Sequence, residues 1–196
     1  MMKKRLTSLA LSAMMVLSMV PATAFAAKDA GTPPTYNSAT GCYEISTPAQ
    51  LLYLAGKWKD GAPRDGHYVL TADIDMTGVK GFKPIASKKD QGFTGTFDGQ
   101  FHSIKGLRVE YEKKYAGLFG YVGNQDDQAY IKNVALLDCY VTGQQNVGAL
   151  AGVNYGTITD CVVTGEVKCL DLSNSHTAGG ICGKLKEGEG PIVGHV

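Results

Sequence analysis

The sequence predicts an all-β protein: a parallel β-solenoid, or β-helix, closed at its N-terminal end by one capping α-helix. Three observations carry this. A glycine-bracketed hydrophobic motif, "AGLFGYVGN" from Ala116, returns as "GALAGVNYG" from Gly148 and "GGICGKLKEG" from Gly179, so that Gly120, Gly152 and Gly183 are spaced by 32 and 31 residues. A second motif recurs at Ile104 ("IKGL"), Ile131 ("IKNV") and Ile158 ("ITDC"), spaced by 27 and 27. Only one stretch, Thr47 to Trp58, places apolar residues at helical spacing. Repeats of this length signal stacked architectures, because one short strand pair cannot bury its apolar face alone.

In chain order, Lys3, Lys4 and Arg5 precede an apolar run from Leu9 to Val20, a Pro21 break and the small-x-small sequence Ala24–Ala26. This is a signal-peptide pattern over residues 1–26, with cleavage expected after about Ala26, and the run is too short for a membrane anchor. Export to the extracellular space or cell surface follows. Residues 27–41, rich in Pro, Ser, Thr and Gly, read as a disordered mature N-terminus. Residues 42–66 read as a strand around Tyr43 and Ile45 followed by the capping helix. Thr47 is its N-cap, Pro48 its first residue and Gln50 the partner in a capping box. Leu51, Leu52, Leu54, Ala55 and Trp58 form its apolar face, and Gly61 and Pro63 end it.

Residues 67–196 read as short strands and turns. Tyr68, Leu70, Ala72, Ile74 and Met76 alternate with polar residues, and Asp98-Gly99 reads as a hairpin turn flanked by His102. "DCYVTG" at Asp138 and "DCVVTG" at Asp160, 22 residues apart, read as strands closed by Thr-Gly. The repeats are expected over about 116–143, 147–165 and 178–196, the last incomplete. Because the periods disagree, insertions such as "QDDQAY" must be absorbed in loops. The stacking positions are Gly117, Leu118, Phe119 and Gly120; Ile131, Asn133 and Val134; Gly148, Leu150, Gly152 and Ile158; and Gly180, Ile181 and Gly183. Glycine, Asn and Asp at the corners are expected to supply positive φ, with the glycines letting the chain turn tightly.

Composition narrows the function classes. Removing the signal segment takes three of the 19 basic residues and none of the 18 acidic ones, leaving a formal charge of −2. Without a basic tract, nucleic acid and anionic membrane are poor partners. The odd count of five cysteines (Cys42, Cys139, Cys161, Cys169, Cys182) leaves at least one unpaired within the chain. None has C-x-x-C spacing, which argues against zinc. Buried free thiols are the favoured reading, with one disulfide as the alternative.

At "GLFGYVG…IKNV" and "VGALAGVNYGTITDCVVTG" the chain resembles the GLUG-motif repeats of bacterial secreted and surface proteins. The upstream run "YEISTPAQLLYLAG…GHYVLTADIDMTG…FKPIAS…GFTGTFDGQFHSIKGL" is similar to the segment preceding such repeats in IgA-specific metallopeptidase-like and adhesin-like proteins. The resemblance covers about residues 43 to 185 and implies a right-handed parallel β-helix outside the cell. At "FKPIAS", Phe82 and Ala86 stand where relatives often carry Trp and Gly. No H-E-x-x-H occurs, so the peptidase chemistry of the larger relatives does not carry over.

Catalytic constellations are not visible in the sequence. Asp73 and Asp75 are weak calcium candidates, without the D-x-D-x-D-G loop that would strengthen them; no other cofactor is expected. His67, His102, His176 and His195 fall in different repeats. Asp126-Asp127 and Glu187/Glu189 read as solvated loop acids, since a glycosidase needs two carboxylates held across a cleft. Tyr111, Tyr115, Tyr121, Tyr130, Tyr140 and Tyr155 read mainly as packing, with sugar stacking or a protein interface as the functional alternative. The reading is therefore a secreted or surface, non-membrane-spanning, non-enzymatic solenoid that binds a surface ligand, glycan or protein, in adhesion. The alternatives are a polysaccharide lyase or hydrolase on the same scaffold, and an accessory or N-terminal piece of a larger peptidase-like protein.

Overall fold

The structure, a computed structural model, describes residues 31–56, 62–171, 177–185 and 192–193. The expected signal segment and its cleavage site, Trp58, Gly61, His176, Glu187, Glu189 and His195 lie outside the described residues.

The chain winds as a parallel β-solenoid of about four turns with one short helix. The first pass holds β1 (Thr35–Asn37), β2 (Cys42–Ile45) and α1 (Pro48–Gly56). The second holds β3 (His67–Leu70), β4 (Ile74–Asp75) and a single bridge at Ile85. The third holds β5 (Thr96–Asp98), β6 (Ser103–Lys105), β7 (Arg108–Ala116) and β8 (Phe119–Val122). The fourth holds β9 (Tyr130–Lys132), β10 (Ala135–Gly148) and β11 (Ala151–Asn154), and the fifth β12 (Thr157–Thr159), β13 (Val162–Cys169), β14 (Ala178–Gly179) and β15 (Cys182–Leu185). β16 (Ile192–Val193) starts another pass on β12. Three sheets result. The first stacks β1-β2-β3-β5-β9-β12-β16; the second runs from β4 through β6 and β7 to β10, then β13 and β14; the third stacks β8, β11 and β15. Every pairing is parallel except β1 on β2.

Parallel register turns sequence repetition into columns of core. Tyr68, Phe97, Ile131 and Ile158 stack in the first sheet, Ile74, Ile104 and Leu136 in the second, and Phe119 on Ala151 in the third, all buried. Each such side chain contributes about 1.5–3 kcal/mol of burial. Aromatic rings bridge the columns: Phe93 lies 5.1 Å from Phe119, and Phe97 meets Phe119 edge-on at 5.4 Å. Leu118, Leu150 and Ile181 follow one another through backbone bonds, Leu118 N–H to Ala149 and Leu150 N–H to Ile181.

The repeat glycines do a different job from the one their turn-like composition suggests. Gly117, Gly120, Gly148, Gly152, Gly180 and Gly183 all have negative or extended φ, absent from the positive-φ positions. Gly180 apart, what they lack room for is a Cβ. At Gly152 a Cβ would lie 2.7 Å from the Tyr115 Cα, and at Gly183 2.5 Å from the Asn146 carbonyl carbon and the Val147 nitrogen. The β8–β11–β15 register sets Gly120, Gly152 and Gly183 in one column, so the third sheet lies against neighbouring backbone where only hydrogen fits. Positive φ falls instead at corner residues such as Asn133 (φ 55°), Asp160 (φ 52°), Gly106 (φ 68°) and Ala86 (φ 53°).

Other expectations are corrected by register. Ile131 and Ile158 are partners in the first sheet, but Ile104 pairs with Leu136 in the second, so "IKGL" is not the equivalent of "IKNV". Asp138 lies inside β10 and Asp160 at a corner, so their 22-residue spacing is not a stacking period. Thr142-Gly143 and Thr164-Gly165 lie within β10 and β13 rather than closing them. Asp98-Gly99 is a corner between sheets, not a hairpin, because β5 and β6 belong to different sheets.

The N-terminal end is covered. Gln50 N–H donates to Thr47 Oγ1 (3.3 Å) and Thr47 N–H to Gln50 Oε1 (3.1 Å), closing the capping box. Leu51 and Leu54 enter the core. The expectation of disorder through residue 41 is corrected for 31–41: Thr35–Asn37 pairs antiparallel with β2, and Thr32 N–H bonds Ala49. Among the described residues, an antiparallel strand thus ends the first sheet and a helix lies beside it at this end. At the other end, Val163, Val167, Cys169, Ile181 and Cys182 are only partly buried.

Gly152→Ala is expected to cost about 2–4 kcal/mol by forcing backbone apart, read as a lower urea midpoint. Gly180→Ala, with nothing within 4 Å of its Cβ position and φ outside the positive region, should be within about 0.5 kcal/mol of the parent. Equal losses for the two would overturn the close-approach account.

Candidate functional site

The residues that the stacking leaves over converge on one side. The segments leading into three successive strands of the first sheet carry polar loops: Arg64-Asp65 before β3, Lys89-Asp90 before β5, and Asn124 to Asp127 before β9. Stacked parallel, these loops line an open groove of about 360 Å³ bounded by Arg64, Asp65, Asp90, Gly92, Thr94, Asn124 and Asp127. It runs into a second hollow of about 240 Å³ where Lys89, Gln125, Asp126 and Tyr155 join.

Backbone bonds between loops hold the groove. Thr94 N–H donates to Arg64 O (3.0 Å), Phe93 N–H to Tyr121 O (3.0 Å) and Gly123 N–H to Phe93 O (2.6 Å). Gly92 is required, since a Cβ there would lie 2.5 Å from Gly123 O. Asn124 Oδ1 accepts from Asp126 N–H (2.8 Å) and Asp127 N–H (2.7 Å), while its Nδ2 donates to Asp127 Oδ2 (3.0 Å). Its loop is therefore preformed. Behind the wall, Tyr121 and Tyr115 meet at 4.6 Å, and burial, followed by the hydrogen bond with Tyr115, raises the Tyr121 pKa.

The loops of the groove lead into β3, β5 and β9, which carry the outer face of the first sheet. Register sets His67, Thr96, Tyr130 and Thr157 in one outward column, and Val69, Asp98, Lys132 and Thr159 in the next. Tyr130 is 49% exposed. At the far corner, Phe101 is 82% exposed with φ 64°. Asp98 anchors that corner: Oδ1 accepts from Gln100 N–H and Asn133 Nδ2, each 2.9 Å, and Oδ2 lies 3.2 Å from Lys132 Nζ. Burial pushes its carboxyl pKa up, but these hydrogen bonds and the Lys132 charge outweigh it, and the net shift is downward.

The calcium candidates go elsewhere. Asp73 Oδ1 accepts from Ser103 N–H (2.7 Å) and Ser103 Oγ (3.1 Å), with His102 Nδ1 at 3.5 Å; these bonds lower its pKa. Asp75 caps the Thr77 turn (2.9 Å) and is likewise lowered. Among the described residues no three His, Cys, Asp or Glu side chains gather as a metal site. The carboxylates with shifted pKa, Asp73, Asp75, Asp98 and Glu110, are all lowered, the wrong direction for a general acid at neutral pH. All five cysteines are free thiols, and burial pushes Cys161 and Cys182 up to about 11, so neither is an activated nucleophile. Tyr140 is no open platform either, because Arg108 covers one contact at 4.3 Å and Lys168 another at 5.4 Å from the ring centroid. No helix among the described residues is long and apolar enough to cross a membrane.

A family model described as "The GLUG motif" matches residues 143–168. The chain carries a GLUG motif there. The matched GLUG segment is one circuit of the solenoid, since Gly143 and Cys169 are register partners in β10 and β13. The chain is 32% identical over 151 residues to halomucin of Haloquadratum walsbyi, covering 72% of this chain and 2% of halomucin. It is 33% identical over 130 residues to a "Putative Gly-rich membrane protein" of Evansella cellulosilytica, covering 62% of this chain and 14% of that one. It thus spans a small fraction of either relative. A solved structure titled as a "putative immunoglobulin A1 protease" from Bacteroides ovatus overlays with TM-score 0.43 at 19% identity, covering 86% of this chain and 70% of that one.

The stacking positions singled out in the sequence (Gly117 to Gly120, Ile131 to Val134, Gly148 to Gly152, Ile158, Gly180 to Gly183) do not line the groove, whereas Asn124 and Tyr155 near the ends of two glycine motifs and the loop acids Asp126 and Asp127 do. Arg64, Asp65 and Asp90 were missed. Their signal is a charged insert at the same point of successive coils, visible only once the register is known.

Because the folded pKa of Asp98 lies below its unfolded value, near 3.8, its stabilisation is present above about pH 4 and lost as pH falls through the folded pKa. Asp98→Asn should lower stability by about 1 kcal/mol at pH 7, with the gap from the parent closing towards pH 2 in urea titrations. A gap independent of pH would exclude the carboxylate as its source.

Proposed function

We propose that this GLUG-motif-bearing chain is an exported, surface-associated solenoid whose role is non-catalytic ligand binding in adhesion. One observation carries the reading: the repeat residues are consumed in stacking, while the remaining polar side chains gather in a preformed, open groove beside a flat exposed sheet. An open, rigid, polar surface suits retention of an extended ligand. Chemistry would instead call for an enclosed site with carboxylates of separated proton affinity. The relatives support the surface location, one being named as a membrane protein. The signal-peptide pattern in residues 1–26 supports export. The groove's carboxylates on neighbouring loops are what favours the alternative, a carbohydrate-active enzyme.

Two measurements test this. Membrane-impermeant biotin applied to intact producing cells is expected to label the protein, or the protein to appear in the medium without lysis; labelling only after lysis would sink the surface reading. Incubation with pectin and uronate polymers is expected to release neither reducing ends nor unsaturated products. Turnover abolished by Asp65→Asn or Asp90→Asn would replace binding with catalysis.

A further inference from the structure

We propose that the outer face of the first sheet, with the groove beside it, binds a neutral polysaccharide chain, and that Phe101 and Tyr130 are its aromatic anchors. This rests on the binding role above and specifies its ligand.

Phe101 is the least expected residue on the surface. Its φ of 64° is a conformation that glycine adopts freely and a bulky side chain only at a cost. Its ring, 82% exposed, recovers little of that cost through burial. Gln100 beside it also has positive φ (47°), and the Phe101 N–H bonds Asn133 O at 3.0 Å, which fixes the corner. The fold therefore holds an aromatic ring in solvent without stabilising itself by doing so, which points to an external partner. Tyr130 supplies the second ring. It stands three residues before Asn133, about 10 Å along the strand direction, in the outward column between Thr96 and Thr157.

The surroundings select the ligand class. A sugar ring presents an apolar C–H face to an aromatic side chain and a rim of hydroxyls to polar groups. Here the rings are separate, set among the threonine hydroxyls and the Asp98–Lys132 pair. A protein partner would call for a contiguous apolar centre depleted of charge. Asp65, Asp90 and Asp127 outnumber Arg64 and Lys89 around the groove, so a polyanion is disfavoured. The open groove, whose loops lead into the strands of the exposed face, fits a chain rather than a single small molecule, which would be enclosed.

The test is affinity electrophoresis of the full chain in gels containing hydroxyethyl cellulose, galactomannan or arabinoxylan, with polygalacturonate as the acidic control. Retardation by at least one neutral polymer and not by polygalacturonate is expected. Phe101→Ala and Tyr130→Ala should each weaken it at least fivefold with circular dichroism unchanged, and Lys113→Ala should leave it unaltered. Phe101→Gly should weaken retardation while raising the melting temperature, a combination that a structural role for Phe101 would not produce. No retardation in any neutral polymer, retardation by polygalacturonate alone, or parental retardation of both aromatic variants would overturn the proposal. Surface labelling of intact cells is read independently, so a labelled protein that ignores neutral polymers loses this ligand class and keeps its surface role.

Discussion

The structure depends on how closely its backbones approach one another. Neighbouring parallel strands lie about 4.8 Å apart, and the third sheet meets adjoining backbone more tightly still. At Gly152 and Gly183 the space beyond the Cα is already filled by Tyr115 and by Asn146 and Val147. A single methyl at either site must displace main chain rather than the end of a flexible side chain, so the strain cannot relax locally. Because each coil stacks on the one before, a displacement there passes to the hydrogen bonds of its neighbours. The buried columns of the three sheets are aligned only while those approaches hold.

Around that constraint the corners share the remaining work. Positive φ is met by Asn133, Asp160 and Gly106 at low cost, and by Ala86 and Phe101 at a higher one. At the corner between the first and second sheets, Asp98 ties two coils through Asn133 and Lys132, and Asp73 ties two at the same corner one coil earlier through Ser103. These carboxylates satisfy backbone and side-chain donors, which explains why their proton affinities fall and why they are unsuited to metal or acid–base roles. The polar chemistry left for a partner lies where the chain enters the first sheet, and there loop length is free.

Architecture was legible in the sequence because stacking demands repetition. Gly120, Gly152 and Gly183 stand out for the same reason they stack, and the Thr47/Gln50 capping box is a local device that needs no tertiary context. The register was not legible. Ile104 mimics Ile131 in its neighbours but belongs to another sheet, since "Ile-Lys" followed by a residue tolerant of positive φ describes any strand meeting any corner. The meaning of the glycines was also hidden, because a missing side chain reads alike whether it frees φ or admits backbone. Arg64, Asp65 and Asp90 were invisible as a group: the solenoid brings them together from two successive passes, and no spacing rule links them.

The two ends of the solenoid are chemically unequal. At one, the antiparallel β1 finishes the edge of the first sheet, and α1 buries Leu51 and Leu54. At the other, parallel strands leave Val163, Val167 and Ile181 half-covered. Growth by duplication is therefore directional. A copied coil inserted after α1 finds parallel strands to stack on, whereas one inserted before it meets a helix and an antiparallel strand. Such a molecule lengthens from one side only, and its helical end marks where counting begins.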